Sequence, residues 1–197
     1  MEIIDRALFV LEGTPPYDDN PMQIGYIANI SAPHMHDMGL ELLDDHLKPG
    51  IHALDVGSGM GYLIACFAVM VGPQDRVVGV EHIHELLTES SIKSIQKSVA
   101  APLLKEGSFS VHVGDSRQGW PEFAPYDVIH VGAAAPEIPP ALIEQLKPGG
   151  RLVIPVCNIF KDLQVVDTNM DGTLSVRRET SVRYVPLTSR EAQIRGY

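Results

Sequence analysis

The sequence contains only two cysteines, Cys66 and Cys157, and they do not form a Cys-x-x-Cys motif. This spacing excludes a disulfide-rich scaffold and a paired-cysteine zinc or redox motif. Both cysteines lie in apolar segments, so we expect buried free thiols. The chain also has no apolar run of membrane-spanning length, and residues 1–6 lack the form of a signal peptide. These absences predict a cytoplasmic (cytosolic) protein with no membrane partner.

Positive charge is also scarce. Lys and Arg number 15 against 25 Asp and Glu, which gives a formal net charge of −10. An extended nucleic-acid surface needs clustered Lys and Arg, so we expect no nucleic-acid partner. A cationic small ligand remains compatible with this charge. With 197 residues, of which 45% are apolar and 20% charged, the chain is predicted to form a single domain, residues 1–197.

A glycine-rich turn is the most informative segment. Residues 55–61 read Asp-Val-Gly-Ser-Gly-Met-Gly, between an apolar segment and an apolar stretch predicted to be a helix. Glycines let a ligand approach the backbone, and a helix N-terminus behind them favours a negative group. The dinucleotide pattern G-x-G-x-x-G is not met, because Tyr62 stands where its third glycine would be. The pattern D-x-G-x-G-x-G resembles motif I of the class I S-adenosylmethionine methyltransferases.

Strands and helices alternate along most of the chain. Strands are predicted over residues 51–54, 76–80, 109–113, 126–131, 151–155, 163–167 and 174–178, and helices over 62–71, 84–101 and 139–146. This alternation predicts an α/β fold with a mainly parallel, doubly wound sheet, Rossmann-like in layout. Residues 169–172, Asn-Met-Asp-Gly, are typical of a hairpin turn, so the C-terminal edge of the sheet is expected to be antiparallel.

Acidic residues follow three of the predicted parallel strands. In a doubly wound sheet, ligands bind beyond the carboxyl ends of the strands. Asp55, Glu81 and Asp115 are therefore expected near one another. A carboxylate at Glu81 can accept from both hydroxyls of a ribose, and Asp115 can accept from an adenine amino group. The alternative for each residue is a solvated acid or a helix cap.

A second cluster lies upstream, where Ser31, His34 and His36 precede a predicted helix. A metal site at the two histidines lacks further ligands at suitable spacing, so no metal is expected. A hydrolase nucleophile at Ser31 lacks the G-x-S-x-G elbow. The remaining alternative makes Ser31 the N-cap of a helix that has Pro33 in its first turn.

The segment around Ser31 also resembles a known family, the protein-L-isoaspartate (D-aspartate) O-methyltransferases. The resemblance covers nearly the whole chain and rests on residues 24–36, 55–59, 126–135, 146–152 and 184–188, in the family's order. It implies a class I methyltransferase fold, with S-adenosyl-L-methionine as cofactor and S-adenosyl-L-homocysteine as product. It implies a monomer that acts on isoaspartyl-containing proteins and peptides, with an N-terminal segment shortened relative to the family.

The resemblance implies roles for individual residues. Ser31 would be the catalytic residue. Thr188 and Gln193 would close over the cofactor, and Ser116 stands where the family has glycine. The residues expected to bind the cofactor are Ala28, Asn29, Ile30, Ser31, His36, Asp55, Gly57, Ser58, Gly59, Glu81, His82, Asp115, Ser116, Thr188 and Gln193.

The chemistry that the resemblance implies needs little from the protein. The nucleophile is the free carboxylate of an L-isoaspartyl residue, or of a D-aspartyl residue, which with a pKa of about 4 is ionised at neutral pH and needs no general base. Ser31 would orient it, and the backbone of residues 132–135 would bind the extended peptide. The methyl ester would then collapse to a succinimide, which begins repair. The alternatives are a methyltransferase acting on a small molecule and a non-catalytic cofactor-binding protein.

Overall fold

The structure is a computed structural model that describes residues 3–73, 76–157 and 161–196, without the side chains of Thr88 and Glu89. The nine described strands are β1 (Met22–Gly25), β2 (Ala28–Ile30), β3 (His52–Val56), β4 (Arg76–Glu81), β5 (Phe109–Val113), β6 (Tyr126–Val131), β7 (Leu146–Cys157), β8 (Lys161–Thr168) and β9 (Leu174–Ser181). The described α-helices are α1 (Pro33–Leu43), α2 (Tyr62–Val71), α3 (Ile92–Lys97), α4 (Ala101–Glu106), α5 (Pro140–Glu144) and α6 (Arg190–Arg195).

Seven strands form one sheet in the order β5-β4-β3-β6-β7-β8-β9. The pairs from β5 to β7 are parallel, and β8 and β9 add antiparallel strands at one edge. The predicted parallel sheet, its antiparallel edge and the turn at residues 169–172 are confirmed. The chain leaves β3 in one direction for β4 and β5, and returns to its other side for β6. The switch point, where ligands bind in such sheets, is therefore at the carboxyl ends of β3 and β6.

Apolar side chains cover both faces of the sheet. One face packs against α1 and α2, with Phe9, Leu43, Ile64 and Phe67 fully buried. The other packs against α5, around Tyr126, Ile129 and Leu142. Helix α2 is apolar on nearly all sides and is buried accordingly, as a helix under a second layer must be. The glycine turn before it is thus held between a buried strand and a buried helix.

Two predicted helices have different bounds in the structure. The helix predicted over residues 84–101 is wrong as a continuous element, since a π-helical turn (Leu86–Ser91) and α3 end before Ser98, and α4 begins at Ala101. The Ser98 hydroxyl donates to the carbonyl of Ile95 and accepts from the amide of Ala100, which replaces helical hydrogen bonds. Pro102 occupies the first turn of α4, where proline is tolerated. The helix predicted over residues 139–146 is shorter, because α5 ends at Glu144, Gln145 is its C-cap and β7 begins at Leu146.

Both cysteines are free, as predicted. Cys66 is buried in α2, and burial raises the pKa of its thiol to about 12, so it is neutral at physiological pH. The expectation of burial is wrong for Cys157, which is exposed. It is the last residue of β7, immediately after Leu152–Val156, which are buried on both faces of the sheet. None of the helices in the described ranges has the length and apolarity of a membrane-crossing segment.

Candidate active site

Two small cavities and one open cleft meet at the switch point of the sheet. The inner cavity has a volume of about 40 Å³ and lies beside β3 and β6, with Ser31, His36, Asp55 and Ser58 in its wall. The outer cavity, also about 40 Å³, lies beyond β4 and includes Glu81 and His82. Both are bounded by Ile24, Asn29, Gly57, Gly59 and Gly132. They are therefore two halves of one site, on either side of the glycine turn.

The glycine turn depends on a glycine at positive φ and on close backbone contacts. Gly57 has a φ of +76°, a conformation that favours glycine, and space is open where a Cβ would stand. The amides of Gly57 and Ser58 both donate to the carbonyl of Val80, which joins the turn to β4. Across the turn, a Cβ on Gly132 would lie 3.1 Å from the carbonyl oxygen of Gly57. The backbone of the turn is thus exposed to the site and held in place.

The carboxylate of Glu81 connects the turn to the end of β4. Its Oε2 accepts from the amide of Gly59 at 3.0 Å, and its Oε1 accepts from the amide of Ile83 at 2.8 Å. Glu81 is only 6% exposed. Burial raises the pKa of its carboxyl, whereas the backbone amides and the neighbouring His82 oppose the rise. Each oxygen has a second lone pair, so Glu81 can still accept from a ligand hydroxyl.

A buried pair of side chains forms the floor of the inner cavity. Asp55 on β3 and His130 on β6 are register partners, and Oδ1 of Asp55 lies 2.8 Å from Nδ1 of His130. Both side chains are almost fully buried. A carboxylate is an acceptor, so the hydrogen bond places a proton on Nδ1 of His130. This contact fixes the orientation of both side chains beneath the glycine turn.

Three buried polar atoms around the cavities have no hydrogen-bond partner in the described residues. They are the hydroxyl oxygens of Ser58 and Ser116 and Nδ1 of His82. Buried polar atoms are normally paired, because leaving one unpaired costs about 1–3 kcal/mol. Their position around an open glycine turn is what a polar ligand with several donors and acceptors requires. The residues present therefore fit a nucleoside-containing cofactor.

A hairpin from the N-terminal part of the chain covers the cavities. Strands β1 and β2 pair antiparallel and bring Ala28, Asn29 and Ile30 against the glycine turn. Their two-residue turn has both Tyr26 and Ile27 at positive φ, which is strained for a β-branched residue. The turn is tied down by Gln193 of α6, whose Nε2 donates to the carbonyl of Tyr26 at 3.1 Å. Oε1 of the same side chain lies 2.8 Å from Nε2 of His82.

Ser31 is not a helix cap. The N-cap of α1 is Ala32, with no side-chain hydrogen bond, so the capping interpretation is wrong. The reason is that Pro33 and Ala32 begin the helix one residue later than a cap at Ser31 requires. The Ser31 side chain instead lies near the phenol of Tyr184, where it lowers a pKa that burial raises to about 12. Ser31 is half-buried and borders both the inner cavity and the cleft.

The cleft is much larger than the cavities, with a volume of about 1020 Å³. One wall is the segment 181–185 after β9, and the opposite wall contains Ser31, His34 and Met35. His34 is exposed and pairs with Asp19, with 2.7 Å between Nδ1 and Oδ1. Groups of three or more His, Cys, Asp or Glu side chains able to hold a metal ion were not found in the described part of the chain. The cleft is wide enough for a peptide.

Two residues expected at the site lie elsewhere. Asp115 is not in the wall of either cavity, and its two carboxylate oxygens accept from Nε and Nη2 of Arg117 at 2.9 and 2.7 Å. Thr188 lines a separate cavity of about 560 Å³ between the C-terminal tail and α5. Ser116, by contrast, is in the wall of the outer cavity, and serine fits there because its backbone is helical and needs no glycine. All thirteen predicted residues other than Asp115 and Thr188, Ser116 included, line the two cavities.

Sequence reasoning missed several residues of the site. His130 was detectable as the one histidine in an otherwise apolar strand segment, whereas Ile24, Tyr62, Leu63 and Tyr184 resemble ordinary core residues. The expected peptide-binding backbone at residues 132–135 is wrong for Ala134 and Ala135. Their amides and carbonyls pair with the segments 155–157 and 185–187. This pairing holds the C-terminal tail beside the outer cavity.

Comparisons with known proteins agree with this geometry. The family model for protein-L-isoaspartate (D-aspartate) O-methyltransferase (PCMT) matches residues 1–192. Protein-L-isoaspartate O-methyltransferase 1 of Arabidopsis thaliana is 70% identical, over 100% of this chain and 85% of its own. The Triticum aestivum protein-L-isoaspartate O-methyltransferase is 66% identical, over 98% and 84%. A Plasmodium falciparum chain described as the same enzyme, crystallised with S-adenosyl-L-homocysteine, aligns with a TM-score of 0.86 at 33% identity, over 95% and 87%.

The Gln193 bridge predicts a measurable effect on ligand release. Gln193→Ala removes the bonds to His82 and Tyr26, so S-adenosyl-L-homocysteine should dissociate about fivefold faster or more, since each bond contributes about 0.5–1.5 kcal/mol. Stopped-flow displacement measures this rate. Arg190→Ala is the control, because it removes a bond to Glu85 from the same helix without touching the cavities. Equal dissociation rates in the two variants would mean that the bridge does not close the site.

Proposed function

The chain belongs to the protein-L-isoaspartate (D-aspartate) O-methyltransferase family, and we propose that it methylates the free α-carboxylate of L-isoaspartyl residues in damaged proteins and peptides. It is an S-adenosylmethionine-dependent protein carboxyl methyltransferase. One observation supports the proposed site most strongly. Ser31, with Asn29 and Gly132, borders both the inner cavity and the peptide-sized cleft. A group at this junction can reach both the cofactor and a protein substrate.

The residues that would hold the cofactor surround the two cavities. Asp55, Ser58 and the glycine turn would bind its methionine part in the inner cavity. Glu81 would accept from the ribose hydroxyls, and His82, Ser116 and Gln193 would surround the adenine in the outer cavity. S-adenosylmethionine, when bound, supplies an electrophilic methyl group on a sulfonium. The Asp115 and Thr188 assignments are not supported, because those side chains lie outside both cavities.

Ser31 would orient the substrate carboxylate without acting as a nucleophile. Its hydroxyl can donate one hydrogen bond to a carboxylate oxygen, which directs the other oxygen toward the inner cavity. Tyr184 lies near Ser31 in the wall of the same cleft. A general base is not required, because the substrate carboxyl group is ionised at neutral pH. The residues therefore contribute mainly by positioning, and a closed cavity limits the competing action of water.

The cleft would receive the damaged peptide. Its wall includes Lys161 and Arg183, and Nζ of Lys161 donates to the carbonyl of Tyr184 at 3.1 Å. Two cations against one carboxylate, Asp19, in the wall of the cleft that Ser31 borders, on a chain with a net charge of −10, favour a substrate that carries a carboxylate. An L-isoaspartyl residue carries its free carboxylate directly on the α-carbon, whereas a normal aspartyl residue carries it one methylene group further away. The methylated peptide would leave the enzyme, and its ester would then close to a succinimide, which begins repair.

Several finer properties are part of the proposal. We propose a monomeric, cytosolic enzyme without a nucleic-acid partner. The charged outer edge of the sheet supports a monomer, because Arg177, Arg178 and Glu179 on β9 disfavour edge-to-edge pairing. Free cysteines fit a reducing compartment. Activity on D-aspartyl residues is included because the cleft is open. A small-molecule substrate and a non-catalytic role are not favoured by any observation on the site.

A pair of peptides that differ only in one linkage tests this proposal. The protein and S-adenosylmethionine are incubated with an isoaspartyl peptide or with its aspartyl isomer, and the products are measured by mass spectrometry. The isoaspartyl peptide should gain one methyl group and then lose methanol to give a succinimide, while the aspartyl isomer stays unchanged. Equal methylation of both peptides, or of neither, would contradict the proposed substrate.

The role of Ser31 predicts a defect in rate rather than in stability. Ser31→Ala should slow single-turnover methyl transfer by about 1.5–3 kcal/mol, roughly 10- to 150-fold, the contribution of a hydrogen bond to a charged group. Cofactor affinity and melting temperature should change little, because Ser31 does not cap α1. Ser98→Ala is the matched control, since that hydroxyl stabilises a helix end far from the site. A normal transfer rate in Ser31→Ala would remove Ser31 from the reaction.

A further inference from the structure

Arg6 lies outside the cavity walls but is connected to two residues of the site. It is 4% exposed and belongs to a short 3-10 helix, Arg6–Phe9. Its Nη2 donates to the carbonyl of Ser31 at 2.7 Å, and its Nη1 lies 3.2 Å from Nδ1 of His36. We propose that Arg6 is a positioning residue for methyl transfer, which acts by fixing the backbone of Ser31 and the ring of His36. The inference rests on the proposed role of Ser31.

The surroundings of Arg6 are unusual for a buried charge. Its Nε donates to the carbonyl of Pro16 at 2.8 Å, and its guanidinium stacks over the ring of Tyr62 at 5.7 Å from the centroid. Among the described residues, no carboxylate lies at salt-bridge distance from Arg6, and Asp19 interacts with it only over a longer range. Burying a cation without a direct ionic partner is costly, and an apolar residue of similar size would often be at least as stable. Stability alone is therefore a weak explanation for an arginine here.

The bond to Ser31 acts on the residue that would orient the substrate. An arginine donor at 2.7 Å fixes the carbonyl, and with it the peptide plane between Ser31 and Ala32. The Ser31 side chain itself borders both the inner cavity and the cleft. Without Arg6, the backbone at Ser31 would lose this hydrogen bond and would be less restricted in position. An orienting hydroxyl displaced by about 1 Å can cost roughly 100-fold in rate.

The bond to His36 determines where that ring carries its proton. Arg6 only donates, so Nδ1 of His36 accepts and the proton is on Nε2. The charged and titratable groups that face this ring are Arg6, His130 on β6 and Tyr62 on α2, whose ring lies 5.0 Å away. Burial, the Arg6 charge and His130 together hold the pKa of His36 well below its usual value. His36 is therefore neutral in the wall of the inner cavity, where a sulfonium would bind.

This arrangement gives a readout that a purely structural arginine would not change. Removing Arg6 takes away both a donor to Nδ1 and a nearby positive charge, so the pKa of His36 should rise. Burial remains the largest cause of the low pKa, so protonation of the ring, which would repel a sulfonium, should increase only toward the acidic end of the range. When the pH is lowered from 7.5 to 5.5, the transfer rate of Arg6→Met should fall by a factor on the order of ten larger than the fall in the wild-type protein.

The experiment compares Arg6→Met with Arg151→Met in the complete chain. Arg151 is a matched control, since it also makes three hydrogen bonds, one of them to the carbonyl of Leu42 in the same helix α1, but far from the cavities. Single-turnover transfer rates to an isoaspartyl peptide, with saturating S-adenosylmethionine, are measured from pH 5.5 to 7.5 together with melting temperatures. Arg6→Met should lose about 10- to 100-fold in rate at pH 7.5, and Arg151→Met should lose stability but little rate.

Three outcomes decide the inference. A rate loss in Arg6→Met no larger than that of Arg151→Met, or a pH profile parallel to that of the wild-type protein, would overturn it. If Arg6→Met does not fold, Arg6→Lys is compared with Arg151→Lys, and the lysine at position 6 should still give the larger rate loss, with a flat pH profile because the charge is kept. Ser31→Ala is measured in parallel. If that variant is slow and Arg6→Met is not, only the Arg6 inference fails, whereas a normal Ser31→Ala rate refutes the proposed role of Ser31.

Discussion

The carboxylate of Glu81 is the group on which the geometry of the cofactor site depends. It binds the amide of Gly59 with one oxygen and the amide of Ile83 with the other, at the carboxyl end of β4. These bonds, with the two amides that donate to Val80, join the glycine turn to the neighbouring strand. The three glycines of the turn have no side chains to pack, so these hydrogen bonds add to the packing of Val56 and Met60 in fixing its conformation. A buried carboxylate is costly, and here its cost is offset by backbone donors and by a role in binding.

The rest of the site is assembled around this fixed turn from distant parts of the chain. Asp55 and His130 set the floor beneath it, the β1–β2 hairpin covers it, and Gln193 joins the hairpin to His82 across the opening. The buried floor lies between the two apolar layers of the sheet, whereas the cover buries Ile24 and Ile30 but has its turn, at Tyr26 and Ile27, exposed and tied down by Gln193. Elements with few buried contacts open most easily. The fold thus combines a rigid floor with a cover that can release the product.

The features predicted correctly from the sequence are those encoded locally. The glycine turn, the strand ends and the antiparallel edge each depend on residues within a few positions of one another. The hairpin that covers the site was missed, because its turn residues, Tyr26 and Ile27, are not the glycine or asparagine that usually mark such turns. Asp115 pairs with Arg117, two residues away, and its predicted contact with an adenine stays a prediction. Arg6 is separated from Ser31 by 25 positions, so only the folded structure brings them together.

The central claim is that one buried carboxylate both shapes the glycine turn and binds the cofactor. Calorimetric titration of Glu81→Gln with S-adenosyl-L-homocysteine tests it most directly, because glutamine keeps the size but has one acceptor oxygen for the two amides. Asp127→Asn is the control, since Asp127 also accepts from a backbone amide, that of His52, at the opposite end of the sheet. The account predicts that Glu81→Gln loses about 1–3 kcal/mol of binding free energy while the control is unchanged. Wild-type affinity in a folded Glu81→Gln protein would contradict it.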